Sequence, residues 1–117
     1  SAASDVYKRQ NPTCGEVINL SVKFDGDVIE DIAFAGDGCT ISTASSSMMT
    51  DAVIGKTKAE ALELAEIFSL MIQGDHKDED KLGEAKLLAG VSKFPQRIKC
   101  ATLSWNALKK AIERSEL

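Results

Sequence analysis

The sequence lacks any apolar run near the roughly 20 residues that a membrane helix needs, and no apolar signal-peptide core opens it. Basic residues are not in excess either, since 14 Lys and Arg stand against 18 Asp and Glu, a formal net charge of −4. These absences argue against a membrane or a nucleic acid as the main partner. Thiols without a secretory segment predict a cytoplasmic protein.

Cysteine is scarce, and each of the three cysteines has a different local setting. Cys14 lies in a turn flanked by Pro and Gly, with Glu16 two residues later, and Cys39 follows a Gly-rich bend. Cys100 falls near the start of a predicted terminal helix. An odd count cannot be fully paired into disulfides, and no cysteine has a near neighbour in sequence. Three thiols that meet only after folding, together with a carboxylate, predict a metal site or a sulfur-handling site.

Length and composition predict one globular domain. The chain has 117 residues, of which 44% are apolar and 27% are charged, an ordinary balance for a globular protein. Residues 1–10 contain no starting Met and no usable period, so we interpret them as an unstructured or non-native tail. Residues 11–117 are predicted to form the single domain.

Alternation of apolar and polar residues predicts a β-hairpin. Residues 18–24 alternate with period two, residues 25–27 supply an Asp-Gly-Asp turn, and residues 28–35 form the returning strand. Because the strands are antiparallel, the start of the first and the end of the second share one edge. The hairpin therefore predicts that Cys14 and Cys39 come together.

The rest of the chain is predicted to be mostly helical. A hydroxyl-rich run, residues 42–47, begins one helix and offers side-chain caps for its first-turn N–H groups. Thr57 and Glu60 have the spacing of a capping box for the next helix, and Pro95 suits the first turn of the last one.

A charged stretch, residues 75–86, separates the last two predicted helices and is interpreted as a mobile surface excursion. His76 within it is predicted to be an ordinary surface residue. The predicted fold class is α+β, with an antiparallel hairpin or small sheet packed against C-terminal helices.

Three thiolates and one carboxylate would fill a tetrahedral zinc site, and binding would deprotonate each thiol. Iron–sulfur clusters use the same thiolates, so both kinds of site stay open. Cys39 and Cys100 are predicted to be anchored next to helices, whereas Cys14 lies on a turn. A thiolate on a turn can leave a metal with little disruption, which makes Cys14 the candidate for chemistry.

The three cysteine motifs together resemble the U-type iron–sulfur scaffold proteins, the IscU and NifU N-terminal family. The motifs are Asn-Pro-x-Cys-Gly-acid at Cys14, Gly-x-Gly-Cys-Thr-Ile-Ser-x-Ala-Ser-Ser-Ser-Met-Met at Cys39, and Cys100 on the terminal helix. Within this family the chain is similar to the SufU branch. IscU-type chains carry a His directly before the third cysteine, where this chain has Lys99, and the long insertion 74–96 is also SufU-like.

The resemblance implies a SufE/NifU-like fold, a zinc site, and acceptance of persulfide sulfur from a SufS-type cysteine desulfurase for downstream iron–sulfur assembly proteins. In the family the first cysteine, here Cys14, receives the sulfur after a ligand exchange at zinc, and Arg97 matches an Arg that helps to gate this exchange. The implied metal ligands are Cys14, Glu16, Cys39 and Cys100, with Glu16 in place of the usual Asp. A scaffold for a transient [2Fe–2S] cluster on the same ligands is the alternative, and a domain with purely structural zinc is a third hypothesis.

Overall fold

The structure is a computed structural model that describes residues 4–11, 16–37 and 40–115. Its strands are β1 (Ser4–Asn11), β2 (Glu16–Asp25) and β3 (Val28–Asp37). Its helices are α1 (Thr40–Val53), α2 (Lys58–Ile72), a 3-10 segment (Glu79–Lys93) and α3 (Pro95–Ser115). The strands form one antiparallel sheet in the order β1-β2-β3, and the helices follow in sequence, so the fold class is α+β as predicted.

The predicted hairpin is confirmed as β2 and β3. Their register runs from Val17 opposite Asp37 to Asp25 opposite Val28. The turn between them needs a glycine, because Gly26 has a φ of 61°, in the left-handed region that disfavours other side chains. The sheet therefore ends with the start of β2 and the end of β3 side by side.

Strand β1 contradicts the expectation of an unstructured segment over residues 4–10. Ser4–Asn11 pairs with β2 along its whole length, from Ser4 opposite Lys23 to Asn11 opposite Glu16. Pairing through backbone N–H and C=O groups does not require an apolar period in the side chains. The segment therefore forms an ordered edge strand although its sequence carries no alternation.

The core lies between the sheet and the helices. Leu20, Val22 and Phe24 of β2 are buried, as the alternation predicts, while Lys23 between them is exposed. Phe68 of α2 stacks on Trp105 of α3, with ring centroids 4.6 Å apart and an interplanar angle of 11°. Both rings are fully or almost fully buried, so this stack ties α3 to the middle of the core.

The 3-10 segment corrects the interpretation of residues 75–86 as a mobile excursion. Leu82 and Ala85 are buried in the core, and the segment packs against α2. Gly83, with a φ of 60° and a ψ of −131°, kinks the segment between these two residues. Leu82 and Ala85 attach the segment to the core, although charged residues dominate its sequence. His76 is a surface residue as predicted, with Nδ1 2.7 Å from Glu79 Oε2.

No helix within the described residues is long and apolar enough to span a membrane.

Candidate metal and sulfur-transfer site

One end of the sheet leads into two of the cysteine motifs. Glu16 is the first residue of β2 and Asp37 is the last residue of β3, and the Val17–Asp37 pairing brings these two strand ends together. The predicted ligands Cys14 and Cys39 lie outside the described residues, and the side chain of Glu16 does as well. Their meeting at a common metal ion stays a prediction, but the strand ends that flank them are adjacent.

Cys100 is the predicted ligand that the structure describes. It is the sixth residue of α3 and is only 1% exposed. Its sulfur is part of a disulfide in this structure. A disulfide and a metal-bound thiolate are alternative states of one sulfur atom, so metal binding at Cys100 requires the reduced form.

Two buried serines of α1 hold the turn of α3 that contains Cys100. Ser42 Oγ donates a hydrogen bond to the Cys100 carbonyl at 3.0 Å, and Ser45 Oγ donates to the Ala101 carbonyl at 2.5 Å. The serines are three residues apart and thus lie on one face of α1. Helix α1 begins at Thr40, directly after Cys39, so these bonds fix the helix that follows Cys39 against the Cys100 turn.

Sequence reasoning missed this contact. It interpreted the hydroxyl-rich run as helix caps, and that interpretation does not point to α3. Ser42 and Cys100 are 58 positions apart, so no local pattern links them. The available signal was the i, i+3 spacing of two serines on a helix face that also carries Met49 and Val53.

Arg97 lies three residues before Cys100 and is exposed. Its backbone N–H donates to the Phe94 carbonyl at 2.8 Å, which places it in the first turn of α3. Together with Lys93, Phe94 and Pro95 it lines an open cleft of about 350 Å³. Lys99, where IscU-type chains have a His, is also exposed.

The chain matches the NifU-like N-terminal domain family over residues 1–101. It belongs to this family. The chain is 76% identical over 112 residues to the iron–sulfur cluster assembly scaffold protein IscU of Streptococcus pyogenes serotype M1, covering 95% of this chain and 70% of that protein. It is 54% identical over 114 residues to the zinc-dependent sulfurtransferase SufU of Bacillus subtilis, and the alignment covers 97% of this chain and 78% of that protein.

A solved structure agrees with the observed fold. The chain is similar to a proposed iron–sulfur cluster assembly scaffold protein for the SUF system from Fervidobacterium islandicum AW-1, with a TM-score of 0.88 and 41% identity over 92% of this chain and 79% of that one. The resemblance to the U-type family is thereby confirmed. Relatives named for both the IscU and the SufU branches are among its members.

The described residues of this NifU-like domain fit a thiolate metal site only in part. Within residues 4–11, 16–37 and 40–115, no group of three His, Cys, Asp or Glu side chains could hold a metal ion. Two observations nevertheless agree with the implied ligand set. Cys100 is buried, and α1, which begins directly after Cys39, is hydrogen-bonded to the Cys100 turn. Three cysteines and a carboxylate also have the donor chemistry that zinc prefers.

Proposed function

We propose that the protein is a zinc-dependent sulfur carrier that accepts persulfide sulfur from a SufS-type cysteine desulfurase for iron–sulfur cluster assembly. Cys14, Glu16, Cys39 and Cys100 would hold the zinc. The observation that carries the proposal is the buried Cys100, fixed through its carbonyl to the helix that follows Cys39. The 54% identity to the zinc-dependent sulfurtransferase SufU supports the reaction.

Cys14 is the proposed sulfur acceptor, because Cys100 is too buried to meet a cysteine of another protein. The Cys14 thiolate attacks the outer sulfur of the donor's cysteine persulfide. A new S–S bond forms on Cys14, the donor's S–S bond breaks, and the donor cysteine leaves as a thiolate, so no net oxidation occurs. Bound zinc would supply low thiol pKa values and thus thiolates at neutral pH.

Arg97 is proposed to assist this exchange. The guanidinium is exposed, and it forms no ion pair with a carboxylate of the described residues. A permanent cation one turn before Cys100 would stabilise an anionic thiolate or carboxylate near the Cys100 turn. This role agrees with the position of the matching Arg in the family.

A scaffold for a transient [2Fe–2S] cluster is the second candidate. The observation in its favour is the 76% identity to a protein named as an iron–sulfur cluster assembly scaffold. Against it stands Lys99, because a lysine ammonium cannot replace the imidazole that IscU-type chains carry at this position.

A sulfur-transfer assay tests the proposal. The reduced, zinc-loaded protein is incubated with a SufS-type desulfurase and L-cysteine, and persulfide on each cysteine is located by mass spectrometry. We expect sulfur on Cys14 in the parent and none in Cys14→Ala, whose circular dichroism should match the parent. A zinc-loaded parent that accepts no sulfur would contradict the proposal. Formation of a cluster spectrum with iron and sulfide, without sulfur acceptance, would favour the scaffold function.

A further inference from the structure

We propose that the cleft formed by Lys93, Phe94, Pro95 and Arg97, here called the Phe94 cleft, is the surface on which the sulfur-donating protein docks through an apolar socket bordered by carboxylates. The inference rests on the proposed function and names the contact surface that this function needs.

Phe94 is an exposed aromatic residue on an ordered backbone. Its side chain is 61% exposed, whereas Phe24 and Phe68 are buried. Its N–H donates to the Val91 carbonyl at 2.9 Å, and its own carbonyl accepts from the N–H of Arg97 at 2.8 Å. The ring is therefore held outward at the junction of the 3-10 segment and α3. Burying such a ring against a partner is favourable because it removes apolar surface from water, and in the isolated chain the ring remains exposed to water.

The charge around the ring is opposite in sign to that of the whole chain. The chain carries a formal charge of −4, yet the lining residues that belong to the described part of the chain include two cations and no carboxylate. Among the described residues, neither Lys93 nor Arg97 is paired with a carboxylate. An aromatic residue beside an Arg is the composition of an interface hot spot, and unpaired cations favour a partner surface bordered by acidic groups.

A second copy of this chain fits the cleft less well. In a two-fold dimer with cleft facing cleft, the Lys93 and Arg97 cations of one copy would face the same cations of the other. Such like-charge contacts disfavour the pairing. The complementary surface therefore belongs to a different protein.

The position of the cleft identifies that protein as the sulfur donor. Arg97 precedes Cys100 by three residues, which in an α-helix is a rise of about 4.5 Å. A protein seated on the cleft is thus within one helical turn of the Cys100 turn. Leu87 is also an exposed apolar residue, with 70% exposure, but it differs from Phe94 in its charged neighbour. Lys86 beside it is paired with Asp80, with Nζ 3.0 Å from Oδ1.

Binding measurements with matched variants test the assignment. The zinc-loaded full chain is titrated with the desulfurase by calorimetry, using the parent, Phe94→Ala, Lys93→Glu and the control Leu87→Ala. We expect Phe94→Ala to raise the Kd about 10-fold or more, as loss of a hot-spot aromatic does. Lys93→Glu should raise the Kd and flatten its dependence on salt, whereas Leu87→Ala should stay within about twofold of the parent. Zinc content and the unfolding temperature should not change, because the substituted side chains are exposed.

The outcomes separate this inference from the proposed function. If the parent binds the desulfurase and both Phe94→Ala and Lys93→Glu bind it and accept sulfur equally well, the docking assignment is overturned and the function stands. If the parent neither binds the desulfurase nor accepts sulfur, the docking assignment and the proposed function are both contradicted. A dimer of the parent that Phe94→Ala abolishes would assign the cleft to a second copy and overturn the proposal. Loss of zinc or of thermal stability in both cleft variants would show a structural role and would also overturn it.

Discussion

The hydrogen bonds from Ser42 and Ser45 to α3 are predicted to position the Cys100 turn as well as to stabilise the fold. The perturbation is Ser42→Ala, Ser45→Ala and their combination. Both hydroxyls are buried, with 1% and 0% exposure, and removing each one deletes a donor. The carbonyls of Cys100 and Ala101 keep their helical acceptor roles, so no buried group loses its last partner.

The expected magnitude follows from this geometry. A buried hydrogen bond contributes about 0.5–1.5 kcal/mol net, so each single variant should lower the free energy of unfolding by about 1 kcal/mol. The double variant should lose about 2 kcal/mol, with some departure from additivity because the two serines contact the same turn. For a chain of this length, each kcal/mol corresponds to roughly 3–6 °C in unfolding temperature.

Zinc affinity distinguishes positioning from simple stabilisation. We expect the double variant to bind zinc about 10-fold more weakly in chelator competition, because α1 and the Cys100 turn can then move relative to one another. Thr50→Ala is the matched control. Thr50 Oγ1 donates to the Ser46 carbonyl at 2.9 Å, so this variant removes a hydroxyl bond within α1 that does not reach α3. It should unfold at a lower temperature and bind zinc like the parent.

One result would refute the positioning argument. If the double serine variant unfolds at a lower temperature but holds zinc as tightly as Thr50→Ala and the parent do, the two bonds support only the fold. A cobalt-substituted sample gives a second readout, because the absorption of thiolate-bound cobalt reports the ligand geometry directly. An unchanged spectrum in the double variant would lead to the same conclusion.

The N-terminal cap of α2 gives a pH-dependent prediction. Hydrogen bonding with the backbone and side chain of Thr57 lowers the pKa of Glu60. The cap therefore stabilises the fold above the unfolded-state pKa of Glu60, and it loses this effect as the pH falls through the folded-state pKa of Glu60. The Thr57 N–H donates to Glu60 Oε1 at 3.0 Å, so Glu60→Gln, whose neutral amide is a weaker acceptor, should unfold at a lower temperature than the parent near neutral pH, and thermal scans should show a smaller difference in acid. Glu16→Asp should keep zinc and sulfur transfer, whereas Glu16→Ala should weaken zinc binding; equal metal affinity and transfer in all three proteins would exclude a role for this carboxylate.

Features encoded by neighbouring residues were predictable from the sequence. The alternation in β2, the turn at Gly26 and the capping box of Thr57 and Glu60 each depend on residues a few positions apart, and the structure has all of them. Pro95 likewise begins α3. Features that depend on distant partners were not predictable. Strand β1 owes its order to the free edge of β2, and no period in its own sequence indicates it.

In the candidate site, too, features encoded by neighbouring residues were predictable and contacts between distant residues were not. The motifs and the burial of Cys100 could be predicted, because a cysteine on the inner face of an amphipathic helix is normally buried. The serine contacts to its turn could not, since they join residues on two helices that meet only in the folded chain. Cys14 and Cys39 lie outside the described residues, so their assignment continues to depend on the motifs and on the family.

The first turns of α3 contribute to both of the proposed sites. They carry Cys100, whose turn is held by serines of α1, and Pro95 and Arg97, which line the cleft proposed to bind the desulfurase. The same helix continues to Trp105, whose ring stacks on Phe68 in the core, so α3 cannot shift without disturbing that stack. A partner docked on the cleft therefore meets a rigid surface. Under the proposed function, the nucleophile would then come from a residue outside α3, which agrees with the proposal that Cys14 accepts the sulfur.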